Sequence, residues 1–297
     1  MRKQQGFTLI ELMVSLALGL IIIAAGTMLF LSAQQSYSLQ QGGADFQDNA
    51  NFGLSYIAKD IRMANLNASS TDMTSALSGG GIVFNTTNLA GINAAYVTRN
   101  AYGSSNTTQA SDQLLIQYLP QETGGFDCEG QQITSTSSYV IERFFIRKDS
   151  NYSTQNETAD TALGLACAAG RSTGGAITWD SSVTSGALIM KRVDYLRILL
   201  IVRDSSGNLE EVPIDQYYNI ASPAASTGDI VGVRLGILAR SAQAIGASSF
   251  ANNNQQFNVL DQTGVSLNNT TKGLSAKYLR QVITQTVAIR NALGARQ

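Results

Sequence analysis

The chain has 297 residues, too many for one helix and consistent with one or two domains. Lysine and arginine total 20 against 21 aspartate and glutamate, a formal charge of −1, so composition gives no sign of a nucleic-acid-binding surface. Histidine is absent, which removes the commonest general base and the commonest metal ligand.

A basic leader, Met1-Arg2-Lys3-Gln4-Gln5, precedes Gly6-Phe7-Thr8-Leu9-Ile10-Glu11 and an apolar run to about Ala33. No charged residue falls between Leu12 and Ala33. A membrane span needs about 20 apolar residues to cross a core of about 30 Å, so the segment is long enough. Arg2 and Lys3 keep the N-terminus cytoplasmic by the positive-inside rule and put everything after Ala33 across the membrane. An ordinary signal peptide has an apolar stretch of only about 7–15 residues. Ala24-Ala25-Gly26 could pass for its cleavage site, yet the run continues through Met28, Leu29, Phe30 and Leu31. Neither that reading nor a simple signal anchor accounts for Glu11, because a charge in hydrocarbon costs roughly 2.5–3.5 kcal/mol even on lenient insertion scales.

Gly6-Phe7-Thr8-Leu9-Ile10-Glu11, with its leader and apolar run, resembles the type IV prepilin signature. The resemblance implies cleavage after Gly6 by a prepilin peptidase, with Phe7 as the N-methylated mature N-terminus. It implies that Glu11, fifth in the mature chain, neutralises the N-terminal ammonium of a neighbouring subunit during assembly. A buried carboxylate is tolerated only when paired or hydrogen-bonded, and such a pair sets register more than net stability. Some filament-capping members lack the acid. This chain keeps it, which implies a neighbour above it.

After Ala33 the helix is expected to continue through the polar Gln34-Gln35-Ser36-Tyr37-Ser38-Leu39-Gln40-Gln41, with a kink or unwound stretch at Gly42-Gly43. Phe46, Ala50, Leu54, Ile57, Ile61 and Ala64 then form one apolar stripe, opposite Asp45, Gln47, Asp48, Asn51 and Arg62. The stripe should pack on a folded domain, and the helix should end near Asn65. The chain beyond Asn65 reads as β-rich. Short strands are expected at 81–84 and 95–98, and stronger ones at 112–119 and 139–147. A hairpin is expected from Val193–Arg203 and Leu209–Ile214 around Asp204-Ser205-Ser206-Gly207-Asn208, and a buried strand at 230–240. Tyr278–Arg290 fits a strand or a helix by periodicity, and its Val, Ile and Thr favour the strand. The tracts 101–110, 149–160 and 243–258 read as long surface loops.

In a periplasmic head an even, small number of cysteines favours one disulfide, Cys128–Cys167, over two free thiols. Ser78-Gly79-Gly80-Gly81 lacks the Lys-Ser/Thr pair of a phosphate loop and reads as a turn. Asp204, Asn208, Glu210 and Glu211 miss the EF-hand spacing, so a hairpin turn is preferred, with calcium left open. No histidine exists to complete a Ser-His-Asp triad, and no cofactor, metal site or enzyme is expected.

The segments Val193–Leu200, Asp229–Ser241 and Tyr278–Asn291 resemble the PilW family of type IV pilus minor pilins. The resemblance implies an α+β protein: a leader at 1–6, an N-terminal helix at 7–66 with its membrane or filament-core part to about 33, and an antiparallel β-rich pilin-like head with long loops at 67–297. It implies a structural role in initiating a type IV pilus at or near its tip. The implied partners are other minor pilins, the major pilin, the inner-membrane assembly platform and a tip adhesin. The runner-up is a J-type pseudopilin of type II secretion. Less favoured are a signal-anchored periplasmic enzyme or binding domain and, with no support from charge, DNA capture by the head.

Overall fold

The computed structural model describes residues 8–152, 157–219, 228–245 and 251–292. Its first element, α1 (Leu9–Ile61), spans 53 residues with no internal proline. The expected stripe is buried: Phe46, Ala50, Leu54, Ile57, Ile61 and Ala64 are each at most 5% exposed. Each large member contributes roughly 1.5–3 kcal/mol by leaving water. Asp45, Gln47, Asp48, Asn51 and Arg62 face solvent.

The helix is unbroken through Gly42-Gly43, where an unwound stretch was expected. Gly42 serves close approach instead. A Cβ there would lie 3.2 Å from Ile245 Cγ2 and 3.5 Å from Ser241 Cβ. At Gly53 a Cβ would lie 2.9 Å from Met190 Cβ, so the head packs directly on the helix backbone.

The regular helix stops at Ile61, before the expected end. Met63 and Ala64 donate to the carbonyls three residues back, tightening the last turn, and Asn65 adopts a left-handed φ of 63°. Asn291 Nδ2 donates to the carbonyls of Arg62 (3.2 Å) and Ala64 (3.1 Å), capping this end from the far end of the chain.

Beyond α1 come β1 (Arg99–Gly103), β2 (Ser111–Tyr118), β3 (Tyr139–Lys148), β4 (Leu163–Ser172), β5 (Ile177–Trp179) and β6 (Ala187–Lys191). Next are β7 (Val193–Arg203), β8 (Leu209–Pro213), α2 (Ile214–Tyr217), β9 (Asp229–Arg240), β10 (Gln256–Val259), β11 (Gln262–Ser266), α3 (Asn269–Lys272) and β12 (Arg280–Ala288). One sheet has the order β1-β2-β3-β4-β5 with β6 also on β4, a second has the order β12-β9-β7-β8, and β10-β11 is a hairpin. All these pairings are antiparallel. Both larger sheets turn apolar faces to α1: Leu114, Phe144, Leu165, Leu196, Ile198, Leu235 and Ile237 share one core with its stripe.

Several expectations need correction. Residues 81–84 form no strand, only a bridge between Ile82 and Ile116. Residues 95–98 are turns and bends, and the strand runs instead from Arg99 to Gly103, into the tract expected as loop. β4 was not foreseen because Leu163-Gly164-Leu165-Ala166-Cys167-Ala168-Ala169-Gly170 is rich in small residues of low strand preference. Its two inner glycines serve close approach: a Cβ at Gly164 would lie 2.8 Å from Leu188 Cδ2, and one at Gly170 2.9 Å from the Thr178 carbonyl oxygen. The tract 243–258 is not all loop, because β10 begins at Gln256, while 246–250 lies outside the described residues.

Charged groups fasten the interior. Arg192 Nη1 meets Asp149 at 2.7 Å and its Nε meets Glu157 at 2.8 Å. Arg240 pairs with Glu157 and, at 3.3 Å, with Asp194, and Arg280 Nε reaches Asp194 at 2.7 Å. This buried network joins the tract after β3 to the starts of β7 and β12 and the end of β9. Cys128 and Cys167 form a disulfide with Cα atoms 6.1 Å apart, and the Cys128 N–H donates to Glu142 Oε1 at 3.0 Å.

Glu142 and Asp60 are buried carboxyls, each with one oxygen lacking a hydrogen-bond partner among the described residues. Burial pushes Asp60 up to about 7, with Lys59 opposing and Asp127 adding to the rise. Burial also holds Glu142 well above the usual carboxylate range, reinforced by Asp60. The folded state therefore keeps a proton that the unfolded chain releases near pH 4. The contribution of Asp60 is complete below about pH 4 and is lost as pH rises through about 7.

Urea denaturation of the full chain in detergent should show stability falling between roughly pH 4 and pH 7. Asp60→Asn should flatten part of that fall, and an unchanged slope would place the retained proton elsewhere. A Cys128→Ala/Cys167→Ala variant should lose about 3–4 kcal/mol by the same measurement, as expected for opening a loop of this length. An unchanged midpoint would show that other contacts already hold the segment.

Candidate functional site

Gly6 and Phe7 lie outside the described residues. The described chain begins with a capping box. Thr8 Oγ1 accepts from the Glu11 N–H at 3.4 Å, and Glu11 Oε2 accepts from the Thr8 N–H at 2.9 Å and from its hydroxyl at 2.7 Å. Thr8-Leu9-Ile10-Glu11 carries the signal for it, a Ser/Thr-x-x-Glu pattern before an apolar run, which the sequence reading missed. The box starts the helix at Leu9 and aims the carboxylate back towards the N-terminus. Both Thr8 bonds use Oε2, and among the described residues no hydrogen bond is made to Oε1.

From Leu9 to Leu31 the large apolar side chains are exposed, from 52% at Val14 to 77% at Leu9. The most apolar stretch has a mean hydropathy of 2.5, and none of it is buried in the protein. Ser15 and Thr27 turn their hydroxyls onto the carbonyls of Glu11 (2.7 Å) and Ala24 (2.9 Å), so neither needs a solvent partner. A surface of this size and composition belongs in a membrane or a helix bundle, not in water. It is long and apolar enough to anchor the chain in a membrane.

The residues singled out from sequence do not form one constellation. Glu11 and the first buried helix residue, Gly42, are 31 positions apart, roughly 45 Å along the axis. Cys128 and Cys167 sit in the core of the head. Asp204 is consumed by its own turn: Oδ1 accepts from the N–H groups of Ser206 and Asn208, each at 2.8 Å.

The head has open depressions of about 590, 450 and 200 Å³. Arg143 and Arg147 line the middle one. Arg143 is committed elsewhere. Its Nη1 donates to the Val183 carbonyl at 2.7 Å and its Nη2 to Gln113 Oε1 at 2.6 Å, and its guanidinium lies 3.9 Å from the Phe145 ring centre. That arrangement braces β3 rather than receiving a ligand.

The prokaryotic N-terminal methylation motif matches residues 1–27, covering the leader, Glu11 and most of the apolar run. The description "Type IV Pilus-assembly protein W" matches residues 143–291, from within β3 to beyond β12. No curated protein matches. Among solved structures, the type IV-like pilin TTHA1219 from Thermus thermophilus is similar at a TM-score of 0.36 and 9% identity, over 83% of this chain and 96% of that one. With half of its length matched by that family description and its N-terminus by the methylation motif, the chain belongs to the type IV pilus-assembly protein W family.

Proposed function

We propose that the chain is a minor pilin that helps to initiate a type IV pilus and stays at or near its tip. The observation that carries this reading is α1. One unbroken helix offers a capped acid and a bare apolar surface at one end and is built into the core of a head at the other. Such a rod can move from bilayer to filament core without changing its fold, because both environments accept the same apolar surface. At the new position Glu11 Oε1 receives the ammonium of a neighbouring Phe7, left free by cleavage after Gly6. The N-terminus starts cytoplasmic and the head periplasmic. The partners are other minor pilins, the major pilin, the inner-membrane assembly platform and a tip adhesin. The role is structural, with no catalytic step.

Intact-mass measurement of the protein from its own cells should find a chain beginning at methylated Phe7. Gly6→Ala should leave the leader in place and remove the protein from sheared pili. Glu11→Gln should be processed normally yet fall at least roughly tenfold in the pilus fraction, since an amide cannot neutralise the ammonium. A wild-type chain beginning at Met1 would overturn the reading. Deletion of the gene should abolish surface pili and spare type II secretion, whereas the reverse would assign the chain to a secretion pseudopilin.

A further inference from the structure

Among the described residues the outer edge of β12 pairs with no other strand. The Ile289 N–H donates to the Val231 carbonyl and the Ser241 N–H to the Leu279 carbonyl, so odd-numbered residues of this strand point their main-chain groups at β9. The register between these two points is continuous, from Arg280 opposite Arg240 to Ala288 opposite Gly232, with no bulge. By alternation, Arg280, Val282, Thr284, Thr286 and Ala288 point their N–H and C=O groups away from the sheet. Among the described residues the only hydrogen bond to these groups is from Gln285 Nε2 to the Thr286 carbonyl, at 3.1 Å.

Free edges are ordinarily blunted by shortness, charge, proline or bulges. The opposite edge of the same sheet, β8, obeys that rule: it has five residues, with Glu210, Glu211 and Pro213 among them. In the other sheet β5 has three residues, and β1 and β6 pair with irregular register. β12 has nine residues and no charge from Gln281 to Ala288. Val282 and Ile283, on opposite faces near its middle, are only half-buried.

We propose that this edge receives, by strand addition, an extended uncharged segment of a different subunit anchored in the same membrane. The unpaired main-chain groups specify a strand as the occupant, and Val282 and Ile283 specify apolar side chains on both of its faces. Orientation argues against antiparallel self-pairing. β12 begins beside Ser241, which packs on Gly42, and ends at Asn291, which caps Arg62, so it runs in the same sense as α1. An antiparallel pair of β12 strands would therefore place two α1 helices antiparallel, which two copies inserted in one bilayer with the same topology cannot do. The edge also starts at the end of the head nearest the membrane-spanning part of α1, within reach of a neighbour held by its own helix.

The inference rests on the pilin reading for the identity of the neighbour, and the test separates the two. Residue-resolved hydrogen exchange is measured on the full chain purified alone in detergent, and on the chain isolated with its associated proteins from the membrane and sheared-pilus fractions. Alone, the amides of Val282, Thr284, Thr286 and Ala288 should exchange freely while those of Ile283, Gln285 and Val287 are protected. In at least one associated fraction the even-numbered amides should slow by at least about 100-fold. Free exchange in both fractions overturns the proposal, and so does protection in the purified chain, whether it persists on dilution or is lost. Absence of the chain from sheared pili would instead count against the pilin reading, and the membrane fraction would still decide the edge.

Thr284→Pro supplies a second arm. It removes an outward N–H and leaves the β9 ladder intact. It should keep the protection of the odd-numbered amides, which reports a folded sheet, and abolish protection of Val282 and Thr286 in the associated fractions. Retained protection there would overturn the proposal.

Discussion

The apolar surface from Leu9 to Leu31 must leave water, and none of the described residues of the head covers it. Every other feature of the chain stems from attaching a folded domain to the far end of the same helix. The backbone of α1 satisfies its own hydrogen bonds, so this half is stable wherever hydrocarbon or another helix surrounds it. The other half cannot be apolar all round, because one side meets solvent. It therefore narrows to the stripe from Phe46 to Ala64, and the two sheets close over that stripe alone.

A rod that is free at one end must be held firmly at the other. Two devices do this at opposite ends of the buried stretch. Near Ile61 the helix carbonyls are capped by Asn291, and Asp60 lies in a buried carboxyl cluster with Glu142, beside the disulfide segment, where burial favours the protonated forms. Near Gly42 the helix meets Ser241 directly after Arg240, whose guanidinium is buried between Glu157 and Asp194. Replacing such an ionic network by apolar side chains is often neutral for stability. Its contribution here is geometrical: four separate stretches of chain must adopt one arrangement before three arginines and three carboxylates are all paired.

Local pattern exposed much of this plan. Phe46, Ala50, Leu54, Ile57 and Ile61 announced the packed face through their spacing, and the turn between β7 and β8, the alternating apolar and small residues of β9 and the Val, Ile and Thr of β12 announced the second sheet. β4 stayed hidden because its alanines and glycines carry little strand preference, and the close contacts that Gly164 and Gly170 make with neighbouring strands cannot be seen in a linear reading. The buried ion pairs stayed hidden for a similar reason. Asp194 finds Arg280 across 86 residues, and each alone looks like a surface charge. Asp60 was passed over because it falls on an amphipathic helix where acids are expected to face water. At the N-terminus the apolar surroundings of Glu11 marked it as an acid with a task, and its cap adds a second demand on the same side chain.

The polar stretch from Gln34 to Gln41 sets the distance between these two halves. It is helical and mostly exposed, and its eight residues extend roughly 12 Å. The apolar part before it, Leu9 to Ala33, extends roughly 37 Å, enough to cross a core of about 30 Å. The spacer therefore sets the first head contact, at Gly42, roughly 12 Å beyond the apolar part. An unwound joint at Gly42-Gly43 would let the head tilt freely there. Packing of both Ser241 and Ile245 onto Gly42 removes that freedom, because the helix backbone itself is the contact surface. Displacement of the head is then passed to the membrane segment by one continuous helix, and displacement of that segment is passed back to the sheets.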